Sequence, residues 1–405
     1  MKLSHPVFLL LLALALNARG QKKPSRRPIQ PFQRFAVPVS PEVHSDRTVT
    51  FRFRDPNAKH VMLSLEGSNP ASMLRGARGV WSITVGPLQP EFYGYTFLAD
   101  GVPTLDPFNP HIIPNLLMLE SELHVPGRQT LPWELADVPH GVVHHILYHS
   151  AAVGDDRDYY VYTPPGYAAG SAQRYPVFYL LHGYSDDASA WTAVGRANLI
   201  LDNLIAQGKA KPMIVVMPLG YGAPEILSRS GPGFRDPSLV HKNLVKFRDA
   251  LLTEIIPQVE RDYHTFTDRN HRAIAGLSMG GGESLYVGLN RLNRFAWIGS
   301  FSAGVGEAEF AGEFPSVTPT INRQLRLLWI ACGEQDTVVG KFNRAFRAWL
   351  NSRGIRYTNV WTPGMHTWMV WRNNLVAFAP LLFRTSAPGR GARCLGVGVW
   401  ARDPG

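Results

Sequence analysis

The feature that most constrains this 405-residue chain is Gly276-Leu277-Ser278-Met279-Gly280, a G-x-S-x-G motif. A strand-like apolar run precedes it and two further glycines follow it. This pattern indicates a strand that turns sharply into a helix with the serine at the apex, because side chains at the flanking positions would collide. The serine Oγ would then lie exposed in front of a helix N-terminus, which suits a nucleophile that forms an oxyanion. A Gly/Ser turn without chemical function is the alternative.

A serine nucleophile needs a base to take its proton and an acid to orient that base. In sheets of this type the chain order is serine, acid, histidine. His366 is the single histidine after Ser278 in the sequence, and it follows the last predicted strand. Glu334 and Asp336 follow the preceding strand. We favour Asp336, because it lies further out, where the chain can turn toward the histidine; helix capping is the alternative role of either carboxylate.

An oxyanion hole requires two N–H donors. The first donor is expected from Met279, directly after the serine. The second is expected from Tyr184, because residues 180–184 end a buried strand with a glycine turn. His182 in the same segment is predicted to brace the loop rather than to act as a base.

Tryptophans near these segments could form an acyl or sugar pocket, since aromatic faces suit both aryl acids and sugar rings. Trp368, two residues after His366, is the first candidate, and Trp191 is the second. A place in the core is the alternative for each.

No metal or cofactor is expected. Four histidines crowd one segment, but no carboxylate or cysteine lies at a recognisable ligand spacing from them; they are His140, His144, His145 and His149.

Periodicity divides the chain into two parts. Residues 37–125 show short alternating segments separated by turn residues, which predict a small β-sandwich domain with strands over 48–53, 61–65, 80–85 and 92–97 and a hairpin turn at Asp100-Gly101. Residues 139–384 alternate buried strands with helices, which predicts a mostly parallel, doubly wound α/β sheet. Its predicted strands are 177–181, 213–217, 273–276, 325–331 and 357–361, and its predicted helices are 198–207, 243–259, 283–289 and 341–353.

The ends of the chain indicate an export signal and flexible segments. Residues 1–20 combine a basic start with an apolar core too short to span a bilayer, which predicts a secretory signal peptide cleaved before Gln21; an uncleaved anchor is the alternative. Residues 21–36 indicate a linker and 385–405 a flexible tail.

The net charge of +10 favours either binding to acidic surfaces or solubility alone. Two cysteines, Cys332 and Cys394, do not form a disulfide framework.

Several runs together resemble the esterase D-type carbohydrate esterases of family 1, which include feruloyl and acetyl xylan esterases. The runs are residues 175–183, 195–206, 211–218, 272–281 and 364–372. The resemblance covers residues 140–384 and implies an α/β-hydrolase fold with Ser278, Asp336 and His366 as catalytic residues.

The N-terminal part resembles the immunoglobulin-like module grouped with family 48 carbohydrate-binding modules. The residues that carry this resemblance are 49–53, 79–81, 93–95 and 105–110. The resemblance leaves open whether the module binds sugar or packs on the enzyme and shapes its cleft.

The expected function is that of a secreted serine esterase that removes feruloyl or acetyl groups from plant cell-wall xylan or its oligosaccharides. The expected partner is therefore an ester-decorated polysaccharide, with no nucleic acid and no membrane after signal cleavage; the oligomeric state stays open. The alternatives are hydrolysis of a siderophore ester of the enterobactin type, acyl transfer to a sugar, and carbohydrate binding on an inactive hydrolase scaffold.

Overall fold

A computed structural model describes residues 38–228, 233–304 and 310–384. The predicted signal peptide, the linker, the tail and Cys394 lie outside the described residues.

Residues 42–125 form two antiparallel sheets that share one core; we call them the sheet pair. The strands are β1 (Glu42–Val43), β2 (Val49–Arg54), β3 (Val61–Leu65), β4 (Ala71–Ser72), β5 (Leu74–Arg75), β6 (Val80–Val85), β7 (Glu91–Ala99), β8 (Val102–Thr104), β9 (Ile112–Ile113) and β10 (Glu120–Val125). One sheet has the order β1-β2-β6-β5; the other has the order β4-β3-β7-β10-β9, with β8 paired to β7.

The alternating residues of the sheet pair face each other across its core. Phe51 and Phe53 of β2 meet Tyr95 and Phe97 of β7, and the Phe51 and Tyr95 ring centroids lie 4.8 Å apart. The predicted strands at 61–65 and 80–85 are confirmed with the same bounds. The predicted hairpin is also confirmed, because Ala99 pairs with Val102 across the two-residue turn. The immunoglobulin-like character and the domain boundaries stay predictions.

The second part of the chain is built on a larger, mixed sheet. Its strands are β11 (Val142–Ser150), β12 (Asp155–Thr163), β13 (Val177–Leu181), β14 (Ile214–Pro218), β15 (Arg272–Gly276), β16 (Trp297–Phe301), β17 (Leu327–Gly333) and β18 (Thr358–Thr362). The order is β11-β12-β14-β13-β15-β16-β17-β18. The pairs β11–β12 and β12–β14 are antiparallel, and the remaining pairs are parallel.

Helices cover both faces of this sheet, which confirms the predicted doubly wound arrangement. They are α1 (Ala190–Ala193), α2 (Ala197–Ala206), α3 (Pro237–Ala250), α4 (Ile256–Asp262), α5 (Ser278–Asn290), α6 (Phe310–Glu313), α7 (Ile321–Gln324), α8 (Gly340–Ser352) and α9 (Trp368–Phe378). Side chains of α3, α5 and α8 join the core on one face, and those of α1, α2 and α9 join the core on the other. No helix in the described part of the chain is long and apolar enough to cross a membrane.

Four parallel strands end at the same edge of the sheet, where their carboxyl ends meet. β13 leads to Tyr184, β15 to Ser278, β17 to Asp336 and β18 to His366. The fold therefore gathers four of the predicted site residues at one edge, although they are spread over more than 180 positions of the sequence.

Candidate active site

The turn between β15 and α5 has the strained form that the glycine motif predicts. Ser278 has a φ of 49°, in the left-handed region, at a cost of about 1–3 kcal/mol. A Cβ placed on Gly276 would lie 2.5 Å from the carbonyl oxygen of Gly280, and one on Gly280 would strike the backbone of Leu181 and His182. The two glycines therefore let α5 start directly behind the serine, close against β13.

A continuous hydrogen-bonded chain joins Ser278, His366 and Asp336. The Nε2 atom of His366 lies 3.0 Å from the Oγ atom of Ser278, and its Nδ1 atom lies 2.8 Å from Oδ2 of Asp336. The other carboxylate oxygen of Asp336 accepts hydrogen bonds of 3.0 Å from the amides of Val338 and Val339. The acid is thus held on both oxygens and can orient the imidazole.

The charge of Asp336 follows from its surroundings. Burial by itself would raise the pKa of Asp336, but the hydrogen bond and the charge interaction with His366, together with the amide of Val339, outweigh burial. The pKa therefore lies below its ordinary value and the carboxylate is ionised. An ionised Asp336 keeps the imidazole proton on Nδ1, so that Nε2 is free to accept the proton of Ser278. Glu334, the alternative acid, is exposed and takes no part in this chain of contacts.

The two predicted oxyanion donors belong to backbone segments that adjoin the serine. Met279 is the second residue of α5, and amides in the first turn of a helix have no partner within it. A Cβ placed on Gly183 would lie 3.5 Å from Cβ of Ser278, so the loop that carries Tyr184 runs directly beside the serine. The Tyr184 hydroxyl donates to the carbonyl of Ile226 over 3.1 Å, which ties this loop to the segment that contains Ile226.

His182 is a neutral brace of this loop. Burial lowers the pKa of His182 to about 4. Its Nε2 accepts a 2.8 Å hydrogen bond from the amide of Gly220, which leaves Nδ1 to donate to the carbonyl of Gly183 over 2.8 Å. The side chain therefore has both nitrogens engaged by the backbone, and it fits the predicted bracing role.

Asp186 is a buried loop residue that the sequence analysis did not single out. Its Oδ2 accepts from the amide of Gly183 over 3.1 Å, and its Oδ1 accepts from the side chain of Asn115 over 3.3 Å. Burial raises the pKa of Asp186 to about 8. An aspartate three residues after a turn glycine is a usable sequence signal for such a loop-closing bond, but local sequence gives no signal for the hydrogen bond from Asn115, which lies in the connection between β9 and β10.

Of the two predicted substrate-binding tryptophans, Trp191 is fully buried, whereas Trp368 keeps a small exposed surface. Trp191 is 0% exposed, and its Nε1 donates to the carbonyl of Leu181 over 2.8 Å. Trp368 is 8% exposed and meets Trp191 edge to face at 5.3 Å. Trp371 stands edge to face with the His366 imidazole at 4.9 Å. Trp191 is therefore a core residue, packed against Phe301 and Trp368.

Among the described residues, no group of three or more His, Cys, Asp or Glu side chains is arranged to hold a metal ion. The crowded histidines of β11 instead pair singly along the β11–β12 hairpin: His145 with Asp158 at 2.8 Å and His149 with Asp156 at 2.9 Å. Cys332 is buried and forms no disulfide with another described residue.

Comparison with known proteins places this geometry in a family. The family described as "Putative esterase" matches residues 150–382. An endo-1,4-beta-xylanase/feruloyl esterase of Xylanibacter ruminicola is 32% identical over 352 residues, which is 85% of this chain and 46% of that protein. The chain thus spans less than half the length of this relative.

Solved structures show the same fold. A CE1 ferulic acid esterase of the anaerobic fungus Anaeromyces mucronatus aligns with a TM-score of 0.54 at 26% identity, over 62% of this chain and 93% of that one. The enterobactin esterase of Shigella flexneri aligns with a TM-score of 0.60 at 20% identity, over 82% of this chain and 92% of that one. The family match covers more than half of the chain, and the chain belongs to this esterase family.

Proposed function

We propose that this protein is a serine esterase that removes feruloyl or acetyl groups from xylan or xylan oligosaccharides, with feruloyl esters preferred. The observation that carries the proposal is the hydrogen-bonded chain from Ser278 through His366 to Asp336 at a strained strand-to-helix turn. The names of two relatives support the choice of acyl group, since one is a xylanase/feruloyl esterase and the other a ferulic acid esterase.

In the acylation step, Oγ of Ser278 attacks the ester carbonyl carbon while Nε2 of His366 takes the hydroxyl proton. The carbonyl oxygen becomes an oxyanion and accepts hydrogen bonds from the amides of Met279 and Tyr184. One such donor typically lowers the barrier by about 3–4 kcal/mol. The tetrahedral intermediate then collapses, the bond to the sugar oxygen breaks, and His366 returns the proton to that oxygen.

In the deacylation step, water replaces the sugar alcohol. His366 takes a proton from the water as its oxygen attacks the acyl carbon bound to Ser278, and the same proton returns to Oγ when the free acid leaves. Asp336 holds the imidazole in one tautomer and stabilises the imidazolium in both steps. Of the two tryptophans predicted to contact substrate, only Trp368 retains exposed surface, so Trp368 is the one proposed to contact the substrate.

A siderophore ester is the second candidate substrate. The observation that favours it is the match to the enterobactin esterase over 82% of the chain, which extends beyond the α/β part. At 20% identity this match describes the fold and not the substrate, so the two candidates require a direct comparison.

A substrate panel with purified protein tests the proposal: methyl ferulate, methyl p-coumarate, acetylated xylan and a catecholate siderophore. We expect the fastest turnover on methyl ferulate and a loss of at least about 10³-fold in Ser278→Ala, because the nucleophile is removed. The far-UV circular dichroism of the variant should match that of the wild type. Full activity of Ser278→Ala would exclude the mechanism, and turnover of the siderophore alone would replace the substrate.

A further inference from the structure

The helix that follows His366 begins without a local cap. α9 starts at Trp368, and within the part of the chain that the structure describes, the side chain of Thr367 makes no capping hydrogen bond. The first amides of a helix need acceptors from elsewhere. The amide of Trp368 finds one 302 positions away, because it donates to Oε1 of Glu66 over 2.8 Å.

Glu66 is held firmly in the sheet pair. It directly follows β3, and its Oε2 accepts from the amide of Gly94 in β7 over 3.1 Å. Its own amide donates to the carbonyl of Gly94 over 2.9 Å. One carboxylate oxygen is thus tied to the sheet pair and the other to α9, so that Glu66 links the start of the helix to a rigid strand.

The first turn of α9 is the surface against which the His366 imidazole rests. Trp371 packs edge to face on the imidazole, with ring centroids 4.9 Å apart, and Trp368 packs edge to face on Trp371 at 5.3 Å. A displacement of this turn therefore moves the imidazole relative to Ser278.

Two further contacts hold α9 against the sheet pair. Met369 packs on the core of the sheet pair, and its Cε would lie 2.9 Å from a Cβ placed on Gly67, the residue after Glu66. Arg372, one turn further along α9, forms a buried ion pair with Glu91 at 2.9 Å. Of these three contacts, the one made by Glu66 is at Trp368, which is closest to His366 in the sequence.

We propose that Glu66 is a positioning residue for ester hydrolysis: by capping α9 it keeps His366 in reach of Ser278. The inference rests on the proposed function. A carboxylate at a helix N-terminus satisfies an unpaired amide and interacts favourably with the helix dipole. Without it the first turn frays, and the 3.0 Å contact between Nε2 of His366 and Oγ of Ser278 loosens. Misplacement of a catalytic group by about 1 Å can cost about 10²-fold in rate.

The test compares Glu66→Ala, Glu66→Asp and Glu66→Gln with Glu122→Gln as the matched control. Glu122 also links the sheet pair to the α/β part, through hydrogen bonds of 3.0 and 3.1 Å from Arg196, but this pair does not involve α9. Each protein is assayed with p-nitrophenyl acetate for kcat and KM, and for the rate of Ser278 labelling by a fluorophosphonate. Labelling reports on the serine and its base without any sugar contact.

We expect Glu66→Ala and Glu66→Asp to lower kcat and the labelling rate by about 10-fold to 100-fold with little change in KM. Glu66→Gln keeps one acceptor oxygen for the amide of Trp368 but turns its NH2 group toward the amide of Gly94, so its rates should lie between those of Glu66→Ala and the wild type. Glu122→Gln should match the wild type. Glu66→Asp decides the matter if Glu66→Ala fails to fold. A labelling rate and a kcat equal to those of the wild type in Glu66→Asp would overturn the positioning role. A wild-type protein that takes no label would instead refute the proposed function.

Discussion

At the scale of single residues, two buried carboxyl groups of the α/β part, those of Glu283 and Asp336, differ in their charge. Glu283 lies on α5, five residues after Ser278, and burial raises its pKa well above the ordinary value. Its Oε1 accepts from Asn243 over 2.9 Å, while its Oε2 has no hydrogen-bond partner among the described residues. A neutral carboxyl suits this position, whereas Asp336, with His366 beside it, is ionised.

This difference predicts a pH dependence of stability. The folded chain keeps a proton on Glu283 that the unfolded chain loses above about pH 4.5, so the stability contributed by this group falls as pH rises, by up to about 1.4 kcal/mol per pH unit. Glu283→Gln, which stays neutral, should match the wild type near pH 4 and unfold at a higher urea concentration near pH 8. Asp186, with a raised pKa of about 8, acts in the same direction in both proteins. Urea titrations at several pH values measure this; a constant difference across pH would contradict it.

At the scale of elements, local patterns located nine of the eighteen strands in the described residues. Strands β3 and β6 have the predicted bounds, because alternation and turn residues act within a few positions. The hairpin β11–β12 was not predicted, since adjacent histidines interrupt the apolar residues of β11 and charged residues open β12, so that neither strand shows a clear period of two. β16 was missed as well, because Gly299 interrupts its apolar run. The helix α9 was missed for a different reason: its cap, Glu66, comes from the sheet pair and leaves no signal beside it.

The turn at Ser278 depends on the missing side chain of Gly280. We expect Gly280→Ala to cost several kcal/mol and at least about tenfold in kcat, because the new Cβ strikes the backbone of Leu181 and forces α5 away from β13. Gly170→Ala is the matched control, since a Cβ there meets nothing within 4 Å. Thermal unfolding and p-nitrophenyl acetate hydrolysis measure the two effects. Equal melting temperatures for the two variants would show that the close approach does not limit the turn.

At the scale of the whole molecule, the sheet pair and the α/β part share buried contacts around α9. Glu91 of β7 and Arg372 of α9 form an ion pair in which both side chains are almost fully buried. Burial raises the pKa of Glu91, and the charge of Arg372 opposes that rise. Arg372 also donates to the carbonyl of Val194 over 3.0 Å, which ties α9 to the loop before α2.

The buried ion pair of Glu91 and Arg372 is expected to couple the stability of the sheet pair to that of the α/β part. Arg372→Met should destabilise the protein by about 3–5 kcal/mol, because it leaves the carboxyl of Glu91 buried without its charged partner. The double variant Arg372→Met/Glu91→Gln should recover a substantial part of this loss, since both charges are then removed. Urea unfolding followed by tryptophan fluorescence measures the free energies. A loss below 1 kcal/mol in the single variant would show that the pair does not couple the parts.

The sequence by itself determined the features that depend on neighbours along the chain. These are the strand-to-helix turn at Ser278, the order of serine, acid and histidine, and the alternating strands; the secretion signal in residues 1–20 stays a prediction. Only the tertiary structure decided the features that require distant segments to meet. Trp191 packs against Trp368, Asp186 accepts a hydrogen bond from Asn115, and Glu66, directly after β3, caps α9. Burial and capping by remote groups follow from packing, which local pattern does not encode.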